Sequence, residues 1–506
     1  MPVARTLAVA LHGVDGALVE IEADLANGLP AFSIIGLPDT SLGEAKDRVR
    51  SAAANSGCDL PTRKLTVNLS PASLPKHGSG FDLGIAVAAL ATTGGVSPAA
   101  IAEIVHLGEL SLDGRLRPVA GVLPAVLAAR RAGARAVVVP RGNADEAGLV
   151  AGIRVIGAAS LRDVLIAHGA TLDPVPVEPL AGPETPAPPA EPGDLADVVG
   201  HPEAVEGLQV AAAGGHHMLM LGPPGAGKTL LASRLPGLLP DLDPDAAVEV
   251  SSIRSLAGLP LGSALVTRPP LEAPHHSATM AALVGGGSGL VRPGAISRAA
   301  HGVLFLDEAP EFAGAVLDAL RQPLETGEIT IHRARTVARF PARFQLVLAA
   351  NPCPCGHGGG DECTCTPIMR RRYLGRLSGP LLDRIDLHLT VRRVSVAQMT
   401  EGGAGGITTS EARARVVEAR RRARERWGDQ GWSLTAHVPG PALRSPRWRL
   451  AAADRAALDR ALERGALTMR GYDRVLRVAW TLADLDGADR PSADHLGRAL
   501  YLRKGI

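Results

Sequence analysis

The chain has 506 residues, of which 46% are hydrophobic, 21% are charged and 3% are aromatic, and its formal net charge is +2. A chain of this length is expected to contain more than one domain, and so small a net charge excludes nucleic-acid binding through overall basicity, which leaves only local basic clusters for that role. No apolar run reaches the roughly 18 residues of a membrane span, and the start of the chain lacks the pattern of a secretory signal, so we expect a cytoplasmic protein with no membrane partner.

Residues 1–170 combine strand-like and helix-like segments. Short apolar runs at Leu65–Leu69 and Ala136–Val139 are typical of strands. Longer segments rich in alanine and leucine, at Asp82–Ala91 and Ala120–Ala132, are typical of helices. This alternation predicts an α/β or α+β domain.

A proline-rich segment, residues 171–193, follows this domain with the sequence TLDPVPVEPLAGPETPAPPAEPG. Proline stiffens the backbone and removes hydrogen-bond donors, so we interpret the segment as a semi-extended linker. A proline-rich peptide ligand is the alternative that this composition leaves open.

The phosphate-binding loop is the most specific motif of the chain. An apolar strand, Met218–Leu221, precedes the sequence GPPGAGKT, and a helix-like run, Leu230–Leu235, follows it. The G-x-x-x-x-G-K-[ST] motif requires this context, because backbone N–H groups and the positive end of the helix dipole then surround the phosphates. We expect Lys228 to bind the β- and γ-phosphates of ATP and Thr229 to ligate Mg²⁺. The residues of the loop are Gly222, Pro223, Pro224, Gly225, Ala226, Gly227, Lys228 and Thr229.

Two acidic residues end a second apolar strand. The run Gly302–Leu306 leads to Asp307 and Glu308, which is the Walker B pattern. We expect Asp307 to hold Mg²⁺ through water and Glu308 to polarise the water that attacks the γ-phosphate. Acids often end strands, so this pattern gains its weight from the phosphate-binding loop that precedes it.

An alternating segment, Ile329–Phe340, is typical of a β-hairpin with a basic tip. It carries Arg333, Arg335 and Arg339, with no acidic residue among them. Such a tip can bind phosphates without reading bases. Two other basic groups, at 370–372 and 420–422, also have a solvated charged face as an alternative explanation.

A third apolar strand, Phe344–Ala350, ends at Asn351. A polar side chain at that position is well placed to orient water beside the γ-phosphate. A turn asparagine before Pro352 is the alternative interpretation.

Four of the five cysteines lie between positions 353 and 365. Cys353 and Cys355 form one pair, Cys363 and Cys365 form the other, and a glycine-rich turn with His357 separates them. Four thiolates suit tetrahedral Zn²⁺, so we predict a structural zinc site. The C-x-C spacing is tighter than usual, and four reduced thiols on a loop are the alternative.

Two arginines further along the chain are candidates for contact with the γ-phosphate. Arg384 follows the turn Leu381–Asp383 and has the position of an arginine finger supplied to a neighbouring subunit. Arg470 opens a helix-like segment from which it could reach the phosphate. The alternatives are a surface ion pair for Arg384, with Asp383 or Asp386, and a solvated helix-start arginine for Arg470.

The C-terminal part is mainly helical. Residues 194–400 hold the nucleotide motifs and the cysteines, whereas residues 401–506 contain helix-like runs at Ser410–Trp427, Ala451–Gly465 and Ser492–Leu502. We therefore predict an α/β nucleotide-binding core followed by a helical lid domain.

These motifs together resemble the ComM/YifB family of magnesium-chelatase-like AAA+ proteins, over nearly the whole chain. Two small departures from the family pattern are Ala309-Pro310, where Leu-Pro is usual, and Trp480, where an arginine is usual. The second puts one lid contact in doubt. The segments that carry the resemblance are Gly36–Thr40, Val67–Ala72, Gly80–Leu83, Ala273–Ser277, Gly285–Gly287, Pro293–Ser297, Glu311–Phe312, Asn351–Gly356, Leu377–Arg384 and Arg470–Tyr472.

The resemblance implies a hexameric ring ATPase. Its N-terminal domain would have the Lon-protease-like (ribosomal S5 domain 2-like) α+β fold, and its AAA+ core would carry a pre-sensor-1 hairpin. Arg384 would be the finger that acts on a neighbour, and Arg470 would be the sensor-2 arginine. Proteins of this family act as DNA helicases that drive branch migration in natural transformation, which implies that branched or single-stranded DNA is the partner and that the hairpin arginines contact it.

A Lon-like domain raises the question of proteolysis, which requires a serine nucleophile paired with a lysine. The segment Lys76–Leu83 occupies the matching place, but Ser79 precedes the position expected for the nucleophile. We therefore predict a non-proteolytic domain that binds DNA or stabilises the ring.

Two other classes of function remain open. One is a chelatase-type motor subunit that remodels a protein partner, and the other is a nucleotide-gated DNA- or protein-binding chaperone module.

Overall fold

The computed structural model describes residues 3–36, 40–76, 78–180, 193–287, 291–332, 337–357, 362–395 and 406–503. It is a mixed α/β structure with two large sheets and a C-terminal group of helices, which confirms the predicted α/β class. None of the helices in these ranges is long and apolar enough to cross a membrane.

A seven-stranded mixed sheet forms the N-terminal part. Strands β1 to β9 of this part are Ala4–His12, Asp15–Ala26, Ala31–Ile35, Lys64–Ser70, Ile104–His106, Glu109–Leu110, Leu116–Arg117, Ala136–Pro140 and Arg154–Ala158. Helices α1 to α6 are Thr40–Asn55, Asp82–Ala91, Pro98–Ile101, Val122–Arg131, Ala144–Gly148 and Leu161–Ala167. The large sheet has the order β3-β4-β2-β1-β5-β8-β9, and β6 and β7 form a separate hairpin.

Helix α2 lies in the core of the N-terminal part, and every one of its residues is buried. Its sequence is apolar on all sides except at Asp82, as expected of a helix that is surrounded by other elements. The buried carboxylate of Asp82 accepts a hydrogen bond from the Arg48 guanidinium at 2.7 Å. A buried charge of this kind is tolerated only with such a partner.

A five-stranded parallel sheet forms the middle part, which contains the predicted nucleotide motifs. Strands β10 to β18 are Met218–Leu221, Leu271–Glu272, Gly285–Gly286, Arg292–Pro293, Val303–Leu306, Glu328–His332, Val337–Pro341, Gln345–Ala350 and Leu387–Thr390. Helices α7 to α15 are Pro202–Gly214, Lys228–Leu238, Pro244–Leu256, Met280–Val284, Ala295–Arg298, Gly314–Ala319, Arg321–Thr326, Pro367–Leu374 and Gly379–Leu382. The sheet order is β11-β14-β17-β10-β18, and β12–β13 and β15–β16 form two separate ribbons.

The C-terminal helices pack against this sheet. Helices α16 to α20 are Thr409–Trp427, Gly440–Leu443, Ala452–Glu463, Met469–Leu485 and Ala493–Tyr501. Met218 of β10, Leu231 of α8 and Trp480 of α19 belong to one buried apolar cluster. Trp480 packs edge-on against Trp427 with 5.5 Å between ring centroids, and the Arg426 guanidinium lies 4.6 Å from the Trp480 ring centroid. The position of the family arginine is thus occupied by an aromatic packing contact.

The N-terminal part contacts the basic hairpin β15–β16. Leu256 at the end of α9 packs in an apolar cluster with Phe340 of the hairpin and Leu11 of β1. The turn after β1 comes so close that a Cβ atom on Gly13 would lie 2.0 Å from the carbonyl oxygen of Arg339. The hairpin therefore rests on the N-terminal part as well as on its own domain.

The predicted domain boundaries at 170, 193 and 400 remain predictions. Residues 171–180 form no helix or strand, whereas 181–192 and 396–405 lie outside the described residues.

Candidate nucleotide site

The carboxyl ends of three adjacent parallel strands meet at one cleft. Strand β10 runs into the phosphate-binding loop, β14 ends before Asp307, and β17 ends before Asn351. Parallel strands bind ligands at this edge, because their loops all leave the sheet there. The cleft has a volume of about 380 Å³. Its lining residues are Pro224, Gly225, Ala226, Gly227, Lys228, Thr229, Leu230, Asp307, Glu308, Ala350 and Asn351.

Lys228 lies at the floor of the cleft and is almost fully buried. Its Nζ atom donates hydrogen bonds to the carbonyl oxygens of Gly222 at 2.6 Å and Pro223 at 2.9 Å, and to Oδ1 of Asn351 at 3.1 Å. Burial lowers the pKa of Lys228, and the nearby carboxylates of the Walker B pair act in the opposite direction. The ammonium group is thus held at the place where the motif requires a phosphate ligand.

Thr229 and Asp307 offer two oxygen atoms to a shared position. The Thr229 hydroxyl donates a hydrogen bond to Oδ2 of Asp307 at 2.7 Å. Hydroxyl and carboxylate oxygens are the ligand types that Mg²⁺ takes beside a nucleotide. The backbone N–H of Glu308 donates to the other carboxylate oxygen, Oδ1, at 2.9 Å, which fixes the orientation of the Asp307 side chain. The two residues therefore fit the predicted Mg²⁺ site.

Glu308 has an unusual backbone and an unpredicted partner. Its φ angle is 51°, in the left-handed region that non-glycine residues rarely adopt. Its Oε2 atom lies 3.4 Å from Nδ1 of His276. His276 belongs to the loop after β11, the strand that pairs with the Walker B strand. His276 lies in the family segment Ala273–Ser277, and no local pattern of the sequence indicated that it would reach Glu308.

Arg384 and Arg470 do not line the cleft of their own chain. The Arg384 guanidinium forms an ion pair with Glu325, and Arg470 lies 3.5 Å from Asp383. The predicted ion-pair alternative for Arg384 named Asp383 and Asp386, so its partner among the described residues is a different one. Burial lowers the pKa of Arg384, and so do the positive charges of Arg470 and other nearby arginines, so the two predicted arginines lie close together.

A buried carboxylate links this arginine group to the C-terminal helices. Asp386 has 2% side-chain exposure, lies 3.2 Å from Nδ1 of His216, and accepts a hydrogen bond from Arg474 of α19. Burial acts to raise the pKa of Asp386, but Arg474 and His216 outweigh it, and the pKa lies well below its usual range. Since Asp386 follows Arg384 closely in the chain, the Asp386–Arg474 pair connects helix α19 to the predicted finger.

The four clustered cysteines converge as a metal site would require. Their Sγ atoms all lie within 4.8 Å of one another. Three of the separations are 3.3 Å for Cys353–Cys355, 3.7 Å for Cys353–Cys363 and 3.6 Å for Cys355–Cys363. Zn–S bonds of about 2.3 Å in a tetrahedron place sulfurs about 3.8 Å apart, a distance that lies within the range of separations in this cluster.

The basic segments differ in their surroundings. Arg333 and Arg335 lie outside the described residues, and Arg339 is exposed on β16. Arg421 is paired with two glutamates of its own helix, and Arg420 donates to the carbonyl oxygen of Ala212. Arg421 thus fits the charged-face interpretation, whereas Arg420 is half-buried and bonded to the backbone instead of solvated.

The geometry around Ser79 does not form a serine–lysine pair. The Ser79 hydroxyl donates to the carboxylate of Glu109. Lys76 is fully buried, and its Nζ donates to the carbonyl oxygens of Pro71 at 2.5 Å and Leu74 at 3.1 Å. These contacts give each of the two side chains a separate partner, and a non-proteolytic domain stays a prediction.

Three parts of the chain match known protein families. Residues 21–143 match the family described as "Subunit ChlI of Mg-chelatase". Residues 194–399 match "Magnesium chelatase, subunit ChlI", and residues 406–503 match "Magnesium chelatase, subunit ChlI C-terminal".

Full-length relatives are similar along almost the entire chain. An uncharacterized protein of Mycobacterium tuberculosis strain H37Rv is 51% identical, over 100% of this chain and 99% of its own. Competence protein ComM of Haemophilus influenzae is 42% identical, over 99% of this chain and 98% of its own. Protein YifB of Escherichia coli K12 is 40% identical, over 97% of this chain and 95% of its own.

Proposed function

The chain belongs to the ComM/YifB family of magnesium-chelatase-like AAA+ proteins, and we propose that it is an ATP-dependent DNA motor that drives branch migration in natural transformation or recombination. One observation carries the ATPase part of the proposal. Three separate strand ends contribute residues to a single cleft, and these residues are Lys228, Thr229, Asp307, Glu308 and Asn351. This set supplies a phosphate ligand, a Mg²⁺ site, a base for water and a polar group that orients it.

The chemistry assigned to the cleft is hydrolysis of the γ-phosphate. Lys228 binds the β- and γ-phosphates, and Thr229 and Asp307 hold the Mg²⁺ that neutralises phosphate charge. Glu308 accepts a proton from the attacking water while the water oxygen forms a bond to the γ-phosphorus. The bond between the γ-phosphorus and the oxygen that bridges it to the β-phosphate then breaks, which releases ADP and phosphate. Asn351 orients that water, and the contact with His276 orients Glu308.

A hexameric ring is part of the same proposal. Arg384 does not line the cleft of its own chain, which supports a role for it at the cleft of a neighbour. An arginine supplied in this way stabilises the charge that develops in phosphoryl transfer. Hydrolysis would then require contact between subunits, and the Asp386–Arg474 pair would transmit a change at the finger to the lid.

The DNA part of the proposal rests on the hairpin and on a relative. Arg339 is exposed on β16, and the sequence between β15 and β16 contains two more arginines, Arg333 and Arg335, which lie outside the described residues. The relative from Haemophilus influenzae is named a competence protein. A basic hairpin binds DNA through its phosphates, without sequence readout. We assign the N-terminal part a Lon-like, non-proteolytic fold that supports this hairpin.

A structural zinc ion in the cysteine cluster belongs to the proposed function as well. The four thiolates would hold it in a closed tetrahedral site, which leaves no open position for catalysis. Metal analysis of the purified protein, with the cysteines reduced, is expected to give about one zinc per chain.

A chelatase-type motor that remodels a protein is the second candidate, favoured by the three family descriptions. The two candidates differ in how ATP hydrolysis responds to DNA. We expect forked or four-way DNA to raise the hydrolysis rate of the purified full-length protein. A rate that DNA leaves unchanged would favour the protein-remodelling candidate.

A further inference from the structure

The turn that carries the first two clustered cysteines lies directly on the phosphate-binding loop. Gly356 has a φ angle of +86°, and a Cβ atom on it would lie 2.6 Å from both Cγ and Cδ of Pro224. Pro224 lines the nucleotide cleft. The backbone N–H of Gly356 donates to the carbonyl oxygen of Cys353 at 3.0 Å, which closes a tight turn. Any shift of this turn therefore moves the wall of the cleft or opens a gap beside it.

The same segment also reaches the floor of the cleft. Asn351 comes just before Cys353 in the chain, and its Oδ1 accepts a hydrogen bond from Nζ of Lys228 at 3.1 Å. Cys353 is fully buried, so its Sγ position is fixed by its surroundings as well as by the other cysteines. Two contacts, at Pro224 and at Lys228, thus connect the cysteine segment to the phosphate-binding residues.

The other end of the cluster leads to the Walker B turn. Cys365 precedes Thr366, whose hydroxyl accepts a hydrogen bond from the N–H of Met369 and so caps helix α14. Just after this helix, the Arg376 guanidinium donates to the carbonyl oxygen of Pro310 at 3.0 Å and to Glu311 at 3.1 Å. Both acceptors lie in the turn that follows Glu308, so the cluster joins two walls of the cleft.

We propose that the cysteine cluster, when it holds zinc, fixes the phosphate-binding loop in its nucleotide-binding form, so that zinc and nucleotide bind with positive coupling. The inference rests on the proposed zinc and ATP sites and adds a dependence between them. Four metal–thiolate bonds would join Cys353 and Cys355 to Cys363 and Cys365 and restrict the turn at Gly356. A wall that is already ordered costs less entropy when a nucleotide binds against it.

Coupling of this kind must act in both directions by the same factor. If zinc tightens nucleotide binding, nucleotide must tighten zinc binding equally. Typical couplings between sites change affinity about 5- to 150-fold, and we expect at least about fivefold here because the two sites touch through Gly356 and Pro224. ADP serves as the probe, because its binding can be measured without hydrolysis.

The first experiment measures both affinities on the full-length wild-type protein. Zinc content is determined by elemental analysis, and ADP binding is measured by calorimetry before and after zinc removal with a chelator. Tryptophan fluorescence verifies that the stripped protein remains folded. Zinc affinity is then measured by competition with a chromogenic chelator, with and without ADP, and the two factors should agree.

A second experiment leaves all four cysteines intact. Gly356→Ala adds the Cβ atom that would meet Pro224, and we expect ADP affinity to fall at least about fivefold with zinc content unchanged. Gly94→Ala is the matched control, because Gly94 has a nearly equal φ angle of +85° and no atom within 4 Å of an added Cβ. It carries the same conformational cost without the contact, and its ADP affinity should equal that of the wild type.

The outcomes separate the inference from the function on which it rests. Less than about one zinc per chain with reduced cysteines contradicts the zinc site, and absent ADP binding in the zinc-loaded protein contradicts the nucleotide site. Zinc and ADP that bind with independent affinities overturn the coupling while both sites stand, and wild-type ADP affinity in Gly356→Ala overturns it as well, because the contact with Pro224 would then have no effect on nucleotide binding. If the stripped protein unfolds, the comparison of Gly356→Ala with Gly94→Ala decides.

Discussion

The Nδ1 atom of His276 lies 3.4 Å from Oε2 of Glu308, the residue assigned to activate water. The two residues come from loops that follow neighbouring parallel strands, β11 and β14. Glu308 also has a left-handed backbone, with φ of 51°, and such strain persists only where surrounding contacts hold it. The Walker B glutamate is thus held both by its own turn and by a histidine from the adjacent strand.

His276 should affect the rate of hydrolysis rather than nucleotide binding. In His276→Ala the Glu308 carboxylate loses its partner and samples more rotamers, so we expect kcat to fall about tenfold while KM for ATP stays within about twofold. Steady-state ATP hydrolysis measures both. Ser277→Ala, in the same loop but without contact to Glu308, is the control. Equal kcat in wild type and His276→Ala would mean that the contact has no positioning role.

Substitutions at Lys228 and Glu308 should affect nucleotide binding and ATP hydrolysis differently. Lys228→Ala removes the ammonium that contacts the phosphates, so ADP and ATP binding should weaken strongly. Glu308→Gln keeps the size of the side chain but cannot accept the proton, so binding should persist while kcat falls about 10²- to 10⁴-fold. Calorimetry and single-turnover hydrolysis distinguish these results. Substantial hydrolysis by Glu308→Gln would assign the base to another residue.

Arg384 should act on the cleft of a neighbouring subunit. Arg384→Ala is expected to bind ATP normally and to lose about 10³-fold in hydrolysis rate. In a mixture with Lys228→Ala, some interfaces combine the intact cleft of an Arg384→Ala subunit with the intact Arg384 of a Lys228→Ala subunit. These interfaces should restore part of the hydrolysis activity. The hydrolysis rate of the mixture is compared with the sum of the separate rates. No gain on mixing, with mixed assembly verified by co-purification of the two variants through different affinity tags, would argue against action between subunits.

Asp386 should contribute strongly to folding stability. Asp386→Asn leaves Arg474 without its buried counter-charge, so we expect a loss of about 3–5 kcal/mol in the free energy of unfolding. Asp383→Asn, at an exposed ion pair, should cost less than about 1 kcal/mol. Thermal unfolding of the three proteins gives the comparison. Equal midpoints for Asp386→Asn and the wild type would contradict a stabilising role.

The contribution of Asp386 to folding stability should depend on pH in a definite direction. Its pKa is lower in the folded chain than in the unfolded one, so its contribution is fully present above the unfolded value of about 3.9. This stabilising contribution is lost as the pH falls through the pKa that Asp386 has in the folded chain. The difference in unfolding midpoint between wild type and Asp386→Asn should therefore be constant from about pH 5 to 8 and shrink below about pH 4. If the difference in unfolding midpoint grew as the pH was lowered, the pKa of Asp386 would be raised by folding and not lowered.

Arg339 should contribute to DNA binding, and Arg421 should not. Arg339 is exposed on the hairpin, whereas Arg421 is already paired with Glu418 and Glu425. For Arg339→Ala we expect weaker binding of forked DNA and a salt slope reduced by about 1, as for the loss of one phosphate contact. Fluorescence anisotropy over a salt series measures both variants. Equal effects of the two substitutions would remove the hairpin from the interface.

The sequence predicted those parts of the fold and site that depend on local patterns. Helix α2 was predicted with its observed bounds, because its apolar run is uninterrupted and begins at Asp82. The cleft residues Lys228, Asp307 and Asn351 were predicted as one site because each follows an apolar strand, and parallel strands bring such positions to one edge. The four cysteines were found by their spacing in the chain.

The contacts that were not predicted all join segments far apart in the chain. His276 and Glu325 were missed, since no periodicity indicates which loop faces Glu308 or which acid faces Arg384. The approach of Gly356 to Pro224 depends on the angle at which one loop crosses another. Sequence patterns fix the direction of a side chain within an element, but the distance between loops is set by packing of the whole domain.

The most direct test of the proposed function is movement of a four-way DNA junction by the purified full-length protein. With ATP and Mg²⁺ the wild-type protein should convert a mobile four-way junction to duplex products, and Glu308→Gln should bind the junction without moving it. A gel assay with labelled strands records the products. The account would be contradicted if the wild-type protein hydrolysed ATP but left the junction unchanged. It would also be contradicted if Glu308→Gln converted the junction to duplex products as fast as the wild type does.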